Sequence, residues 1–191
     1  MKVAIFLFLL SVCGAVHALE VAGVKVDEKS RVTAGGPELV LNGAGLRTKV
    51  FFKVYVAGLY LTEKKASAAD VLALKGPKRV LLTTVRDLTA DQFLDAIHDG
   101  LADNNAAADL ERLKPQRAAF DAILIAVKES KTGSTIAIDY LPESGTRVTV
   151  NGEAKGAAIG GEDFYNALLR VWLGEKPVES SLKRAMLGGS Q

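Results

Sequence analysis

The sequence predicts an α+β fold in which an antiparallel sheet packs against helices on one of its faces. Strand-like segments fill the amino-terminal third, helical segments fill the middle, and strands followed by two helices fill the carboxyl third. Asn151-Gly152 is the typical turn of a tight hairpin, because both central positions of that turn favour positive φ. The regular alternation of strand and helix that a parallel sheet requires is not seen in the sequence.

Three strands are predicted in the amino-terminal third. The first lies within 21–26, the second covers 39–41, and the third is a long strand over 49–61 that is rich in β-branched and aromatic residues. Gly35-Gly36-Pro37 and Asn42-Gly43-Ala44-Gly45 are predicted to be turns between these strands, since glycine, proline and asparagine favour turn conformations.

The middle of the chain is predicted to be mainly helical. A short helix begins at Ser67 and ends before Gly76-Pro77, and a strand over 79–85 follows it. Thr89-Ala90-Asp91-Gln92 has the spacing of a capping box, in which two side chains bind backbone N–H groups at the start of a helix. Apolar residues then recur at helical spacing, before and after a predicted restart at Pro115: Phe93, Ile97, Leu101, Phe120, Ile123, Leu124 and Val127.

The carboxyl third is predicted to hold three strands and two helices. The strands cover 134–141, 146–150 and 153–159, and the last two are joined by the Asn151-Gly152 turn. The apolar faces of the two helices contain Phe164, Ala167, Leu168, Val171, Trp172, Leu182 and Met186. Repeats and low-complexity linkers are not found, so we expect one domain over 19–191.

Residues 1–18 have the pattern of a secretory signal peptide. Lys2 supplies a positive charge, 3–10 is an unbroken apolar run, and Val16-His17-Ala18 resembles a small-residue cleavage site. We expect cleavage after Ala18, which would leave a soluble periplasmic or secreted protein without an integral membrane segment.

Two alternatives to cleavage after Ala18 remain. An uncleaved membrane anchor would need about 20 apolar residues, more than this stretch provides. Lipid attachment at Cys13 would need a small residue before the cysteine, and Val12 stands there.

Composition and charge exclude several classes of function. The chain has 24 basic and 22 acidic residues, so it lacks the strong positive field of a nucleic-acid-binding protein. Cys13 is the only cysteine, and His98 is the only histidine that would remain after cleavage. The mature chain is therefore expected to have no disulfide, no cysteine nucleophile, no metal site and no cofactor. We interpret His98 as a surface residue.

One group of polar side chains stands out beside the predicted long strand. Arg47 comes just before that strand, while Tyr55 and Tyr60 lie within it. Alternation along an unbroken strand would place Arg47 and Tyr55 on one face. A guanidinium and a phenol beside an apolar groove would bind a carboxylate through charge-assisted hydrogen bonds. The alternative is a solvated strand edge with Tyr55 in the core.

Two adjoining segments, LNGAGLRTK at 41–49 and FFKVYVAGLYL at 51–61, resemble the signature of the chalcone isomerase-like family. They are most similar to its exported bacterial members. Arg170-Val171-Trp172-Leu173-Gly174 and Leu187-Gly188 agree with the family's tail, so the resemblance covers nearly all of 19–191. It implies an open-faced β-sandwich, with a large curved antiparallel sheet packed against a layer of helices and a ligand cleft between them.

The resemblance also separates two kinds of family member, plant flavonoid isomerases and proteins that bind fatty acids without catalysis. It places the family's site arginine at Arg47, and at Tyr55 a tyrosine that the fatty-acid-binding members share. The isomerase tyrosine falls at Phe93, the asparagine at Gly100 and a threonine at Val171. The groups that would polarise a substrate ketone are therefore missing.

These observations predict a non-catalytic, exported protein that binds a fatty acid or a similar amphipathic carboxylate. Arg47, Tyr55, Tyr60 and Phe93 are the candidate ligand-binding residues, with Arg47 and one of the tyrosines at the head group. Two alternatives remain open. One is an isomerase or lyase of the chalcone isomerase type that acts on an unidentified substrate. The other is an interaction protein of the cell envelope whose cleft is vestigial.

Overall fold

The computed structural model describes residues 19–190, so the predicted signal peptide and its cleavage site lie outside the described residues. Residues 19–190 form eleven strands and six helices. In chain order these are β1 Leu19–Val21, β2 Val24–Val26, β3 Lys29–Arg31, β4 Glu38–Lys49, β5 Phe52–Leu61, α1 Ala68–Ala73, β6 Lys78–Thr84, β7 Leu88–Thr89, α2 Ala90–Asn104, α3 Ala107–Arg112, α4 Lys114–Val127, β8 Glu129–Ser130, β9 Thr135–Leu141, β10 Gly145–Val150, β11 Glu153–Ile159, α5 Glu162–Leu173 and α6 Ser180–Met186.

The centre of the fold is a seven-stranded sheet with the strand order β11-β10-β9-β6-β5-β4-β3. Every neighbouring pair in it is antiparallel. Two short ribbons, β1-β2 and β7-β8, stand apart from it. The predicted α+β class with a large antiparallel sheet is therefore confirmed.

Two local features form as the sequence predicts. At the start of α2, the Gln92 N–H donates to Thr89 Oγ1 and the Thr89 N–H donates to Gln92 Oε1, both at 3.3 Å, so the capping box forms. Asn151 and Gly152 both have positive φ, 51° and 82°, and they join β10 to β11 as a tight hairpin. These signals succeed because they depend on neighbouring residues alone.

The β4-β5 hairpin differs from its prediction. Residues 42–45 were expected to form a turn, but they lie inside the twelve-residue strand β4. The chain reverses at Val50-Phe51 instead, so the single long strand predicted over 49–61 is wrong at its start. Gly43 has a packing role: a Cβ on it would lie 2.0 Å from the Ala185 carbonyl oxygen of α6. The glycine lets α6 approach the sheet closely.

The main apolar core fills the space between the sheet and the helices. Helix α5 is buried on nearly every side, because α1, α2 and α6 pack around it against the sheet. Gly100 of α2 makes that packing possible, since a Cβ there would lie 2.7 Å from Val171 Cγ1. The largest fully buried apolar side chains of this layer include Phe120, Phe164, Tyr165 and Trp172.

The opposite face of the sheet carries a second, smaller core. Val26, Leu39, Val56 and Tyr60 form it, and apolar side chains of the β1-β2 ribbon pack against them. Beside it, Arg79 of β6 makes a two-pronged ion pair with Asp139 of β9: Nε to Oδ1 is 2.6 Å and Nη2 to Oδ2 is 2.8 Å.

Among residues 19–190, none of the helices has the length and apolar character needed to cross a bilayer.

Candidate ligand-binding site

Strands β4 and β5 bring Arg47 and Tyr55 together. The two residues are register partners in this antiparallel pair, and the Arg47 Cζ lies 5.6 Å from the centre of the Tyr55 ring. The sequence argument expected this proximity from alternation along one strand, whereas the structure produces it by pairing across two strands. The register shifts between Arg47 and Thr48, where Val54 is the extra residue of a β-bulge. As a result, Val54 and Tyr55 both enter the helix-facing core.

Tyr55 is the centre of the candidate site. Its hydroxyl accepts a hydrogen bond of 2.9 Å from Trp172 Nε1, and its ring meets that of Phe93 edge-on, with 6.5 Å between the ring centres. Burial raises the pKa of Tyr55, while the Arg47 charge and the Trp172 hydrogen bond oppose that rise. The phenol therefore stays neutral at ordinary pH and keeps its proton for a hydrogen bond to a further acceptor.

Arg47 is a buried cation, with 9% of its surface exposed. Its Nε is buried and has no hydrogen-bond partner among residues 19–190, and no acidic side chain in that range forms an ion pair with its guanidinium. Glu179, whose charge acts on Tyr55, is bound elsewhere: it accepts from the Thr48 N–H at 2.6 Å, the Thr48 hydroxyl and the Ser181 hydroxyl. A buried guanidinium donor without a partner is energetically costly, so Arg47 is suited to receive an anion.

Tyr60 does not join the other three predicted residues. It belongs to the smaller core on the opposite face of the sheet, and its hydroxyl donates to the Asp27 carbonyl oxygen at 2.9 Å. The structure therefore brings together Arg47, Tyr55 and Phe93 and places Tyr60 across the sheet from them.

The space expected to be a ligand cleft is nearly filled. Between the sheet and helices α2 and α4 lies a cavity of about 10 Å³, lined by apolar side chains that include Phe93, Leu124, Ile136 and Val150. This volume is at the lower limit for one water molecule, whereas ligand sites usually hold about 300–1,000 Å³. Two larger depressions lie elsewhere, one of about 1020 Å³ beside the β1-β2 ribbon and one of about 460 Å³ between α4 and β11. Arg47 lines none of the three.

The positions that would carry isomerase chemistry hold apolar groups that pack. Phe93 packs on Tyr55 and has no polar group, and a Cβ on Gly100 would lie 2.7 Å from Val171 Cγ1, so position 100 has no room for a side chain. Among the described residues, no three His, Cys, Asp or Glu side chains are grouped so that they could hold a metal ion.

The structure adds Trp172 to the site, a residue that the sequence analysis used as part of a helix face and of the family's tail motif but not as a site residue. Its indole N–H is the group that fixes the Tyr55 hydroxyl. Trp172 is the only tryptophan of the chain, and the sequence places it on an apolar helix face. A buried indole N–H usually has a hydrogen-bond acceptor, and that expectation was the available signal.

Alkaline titration tests whether the tyrosine hydroxyls are buried as the structure shows. The pKa values of all four tyrosines are raised, in each case first by burial, and that of Tyr60 reaches about 12. Above the ordinary tyrosine pKa of about 10, the folded protein therefore holds more protons than the unfolded chain. We expect the free energy of unfolding to fall as the pH rises from about 10 to about 12. Phenolate absorbance that developed in the folded protein at a pH of about 10 would contradict this.

Comparison with known proteins agrees with the architecture. A family model described as chalcone isomerase-like matches residues 18–188, and a search of the curated proteins finds no match. Among solved structures, the chain is similar to a fatty-acid binding protein of Arabidopsis thaliana, AtFAP1, at 16% identity with a TM-score of 0.65. That alignment covers 86% of this chain and 92% of the other. The seven-stranded sheet, its helical layer and the family match agree, and the chain belongs to the chalcone isomerase-like family.

Proposed function

We propose that this protein binds a fatty acid or a similar apolar carboxylate, without catalysis, and that Arg47 holds the carboxylate. The observation that carries the proposal is the buried Arg47 guanidinium, whose Nε has no hydrogen-bond partner among the described residues. A guanidinium presents its N–H groups in a fork that matches the two oxygens of a carboxylate. The fold-level likeness to a fatty-acid binding protein is consistent with such a ligand.

The neighbours of Arg47 suit the two ends of an amphipathic acid. On one side, the neutral Tyr55 hydroxyl has a proton to donate to a carboxylate oxygen. On the other side, the Tyr55 ring leads to Phe93 and to the apolar layer beneath α2 and α4. A carboxylate at Arg47 would therefore direct an acyl chain toward Phe93 and the small cavity behind it.

Ligand entry requires the helical layer to open. A cavity of about 10 Å³ cannot hold an acyl chain, so α2 and α4 must move away from the sheet or the side chains between them must repack. The apolar acyl chain would replace contacts among apolar side chains such as Phe93, Leu124 and Ile136. Water would therefore stay excluded from the opened layer.

The same residues support a binding role over an isomerase role. Cyclisation of a chalcone needs polar groups that stabilise charge in the transition state. Phe93, Gly100 and Val171 offer none, and their side chains or backbones are occupied in packing. Export through the predicted signal peptide belongs to this proposal, since it would place the protein where envelope lipids are available.

Replacement of Arg47 by alanine tests the site. We expect the wild-type protein to bind palmitate, seen as a mass increase of one fatty acid in native mass spectrometry. Arg47→Ala should weaken binding by roughly 10- to 100-fold, because a hydrogen bond to a charged group is worth about 1.5–3 kcal/mol.

Arg184→Ala is the matched control, because it removes the same charge from an exposed position on α6. It should bind palmitate as the wild type does. Equal affinity of Arg47→Ala and wild type would remove Arg47 from the site, and a wild type that takes up no fatty acid would overturn the proposed function.

A further inference from the structure

The turn between β4 and β5 exposes three consecutive apolar side chains. Val50 is 78% exposed, Phe51 93% and Phe52 62%, and they project at the end of the hairpin. We call residues 49–53 the hairpin tip. Nowhere else along residues 19–190 do large exposed apolar side chains stand next to each other in the sequence, so this patch needs an explanation.

Basic side chains surround these apolar residues. Lys49 and Lys53 are exposed on the two strands of the hairpin, and the Arg86 guanidinium lies 5.1 Å from the centre of the Phe52 ring. Of the acidic groups nearby, Glu179 is hydrogen-bonded to the N–H and hydroxyl of Thr48, the residue just before the hairpin tip.

Asp87, the other acidic neighbour, is already neutralised. Its carboxylate forms an ion pair with Lys131 and accepts hydrogen bonds from the Thr132 N–H and hydroxyl. The charge left unpaired at the hairpin tip is therefore positive.

The backbone of the turn adds to this picture. Val50 has a φ of 60°, in the left-handed region that glycine adopts easily and a β-branched residue rarely does. Glycine would serve the turn better, so a large apolar side chain occupies a position that does not favour it.

We propose that the hairpin tip inserts into the surface of a bilayer that contains anionic lipids. Phenylalanine and valine would enter the boundary between head groups and acyl chains, while Lys49, Lys53 and Arg86 would contact anionic head groups. Three side chains at the end of one turn are too small an area for a stable dimer, which needs about 1,000 Å² or more. A bilayer, by contrast, needs only a few inserted apolar groups and nearby positive charge.

The hairpin tip lies close to the candidate site, but the docking proposal does not depend on that site. Arg47 is two residues from Lys49 on the same strand, so a protein docked by its tip would hold Arg47 close to the head-group region. Docking itself requires only the exposed residues of the tip, and it would take place whether or not Arg47 binds a fatty acid.

Vesicle binding tests the proposal. Co-sedimentation would use phosphatidylcholine vesicles containing about one third phosphatidylglycerol, with phosphatidylcholine alone for comparison. We expect the wild type to bind the anionic vesicles and to dissociate as salt is added, because salt screens the lysine charges. Phe51→Ser should weaken binding by roughly 10- to 100-fold, and Lys49→Gln with Lys53→Gln by about fivefold for each charge.

Ile125→Ser is the matched control, since Ile125 is 57% exposed but lies on α4, outside the hairpin tip. It should bind vesicles like the wild type. In Phe51→Trp, the emission of the new indole should shift to shorter wavelength with anionic vesicles, while the buried Trp172 stays constant.

Two results would overturn the proposal. The first is that the Phe51→Ser variant binds anionic vesicles as tightly as the wild type while its urea midpoint is unchanged. The second is that the wild type does not bind vesicles but forms a dimer that Phe51→Ser abolishes, which would make a second copy the partner. Palmitate binding is measured without vesicles, so either proposal can fail while the other holds.

Discussion

Trp172→Ala is expected to lower the free energy of unfolding by about 3–5 kcal/mol, the range observed when a large buried aromatic side chain is removed. Trp172 is 1% exposed in α5, so the deletion leaves a cavity between α5 and β5. It also removes the donor of the hydrogen bond to Tyr55. Urea unfolding followed by circular dichroism measures the loss, because the variant has no tryptophan left to report by fluorescence.

Trp172→Phe separates the two contributions. It keeps most of the apolar volume and loses the indole N–H, so we expect a smaller loss than for alanine, of which the hydrogen bond accounts for about 1 kcal/mol. A Trp172→Ala variant as stable as the wild type would show that α5 does not pack on Tyr55 as described.

Added palmitate should raise the urea midpoint of the wild type, because a ligand that binds only the folded state stabilises it.

Asp139→Ala is the second change with a large expected effect, also about 3–5 kcal/mol of unfolding free energy. Asp139 is 1% exposed and binds both Nε and Nη2 of Arg79, its register partner across β6 and β9. Without Asp139, the mostly buried Arg79 guanidinium keeps only its hydrogen bonds to Ser30 and to the Arg31 carbonyl oxygen.

A double variant gives the control for the Asp139 prediction. Arg79→Met with Asp139→Leu removes both charges and leaves apolar side chains of similar size, so its stability should be close to that of the wild type. If Asp139→Ala alone were nearly neutral, or if the double variant were as unstable as the single one, the ion pair would not be the cause. Chemical denaturation of the wild type, Asp139→Ala and the double variant gives the three unfolding free energies that this comparison needs.

The parts of the fold that the sequence predicts correctly depend on local chemistry. The Asn151-Gly152 hairpin and the Thr89 capping box form as predicted, because each requires only residues a few positions apart. The overall order of strands and helices follows from apolar periodicity in the same way. The family resemblance then supplied the architecture, which the family match confirms.

The β4-β5 hairpin could not be predicted in this way. Position 43 requires glycine because α6 packs directly on it. Val50-Phe51 makes the turn although neither residue favours turns. Both facts depend on tertiary contacts or on an exposed surface. Likewise, the bulge at Val54 decides which side chains of β5 face the helices, and no sequence signal marks it.

The candidate site was predicted in part. Arg47 and Tyr55 are neighbours as expected, while Tyr60 lies across the sheet, because strand alternation puts it on the other face. The nearly closed space beside Phe93 was outside the reach of sequence reasoning, since a cavity volume depends on how every side chain of the layer packs.

The contact between α6 and β4 has a consequence for the time course of folding. Asn42 Nδ2 donates to the Met186 carbonyl oxygen at 2.7 Å across 144 positions of sequence, and the same side chain binds both backbone groups of Lys65. During synthesis from the amino end, the β4-β5 hairpin emerges long before α6 does. Gly43 and the Asn42 amide therefore stay uncovered until α6, the last helix of residues 19–190, has emerged, and only then can α6 fix the β4-β5 hairpin in place.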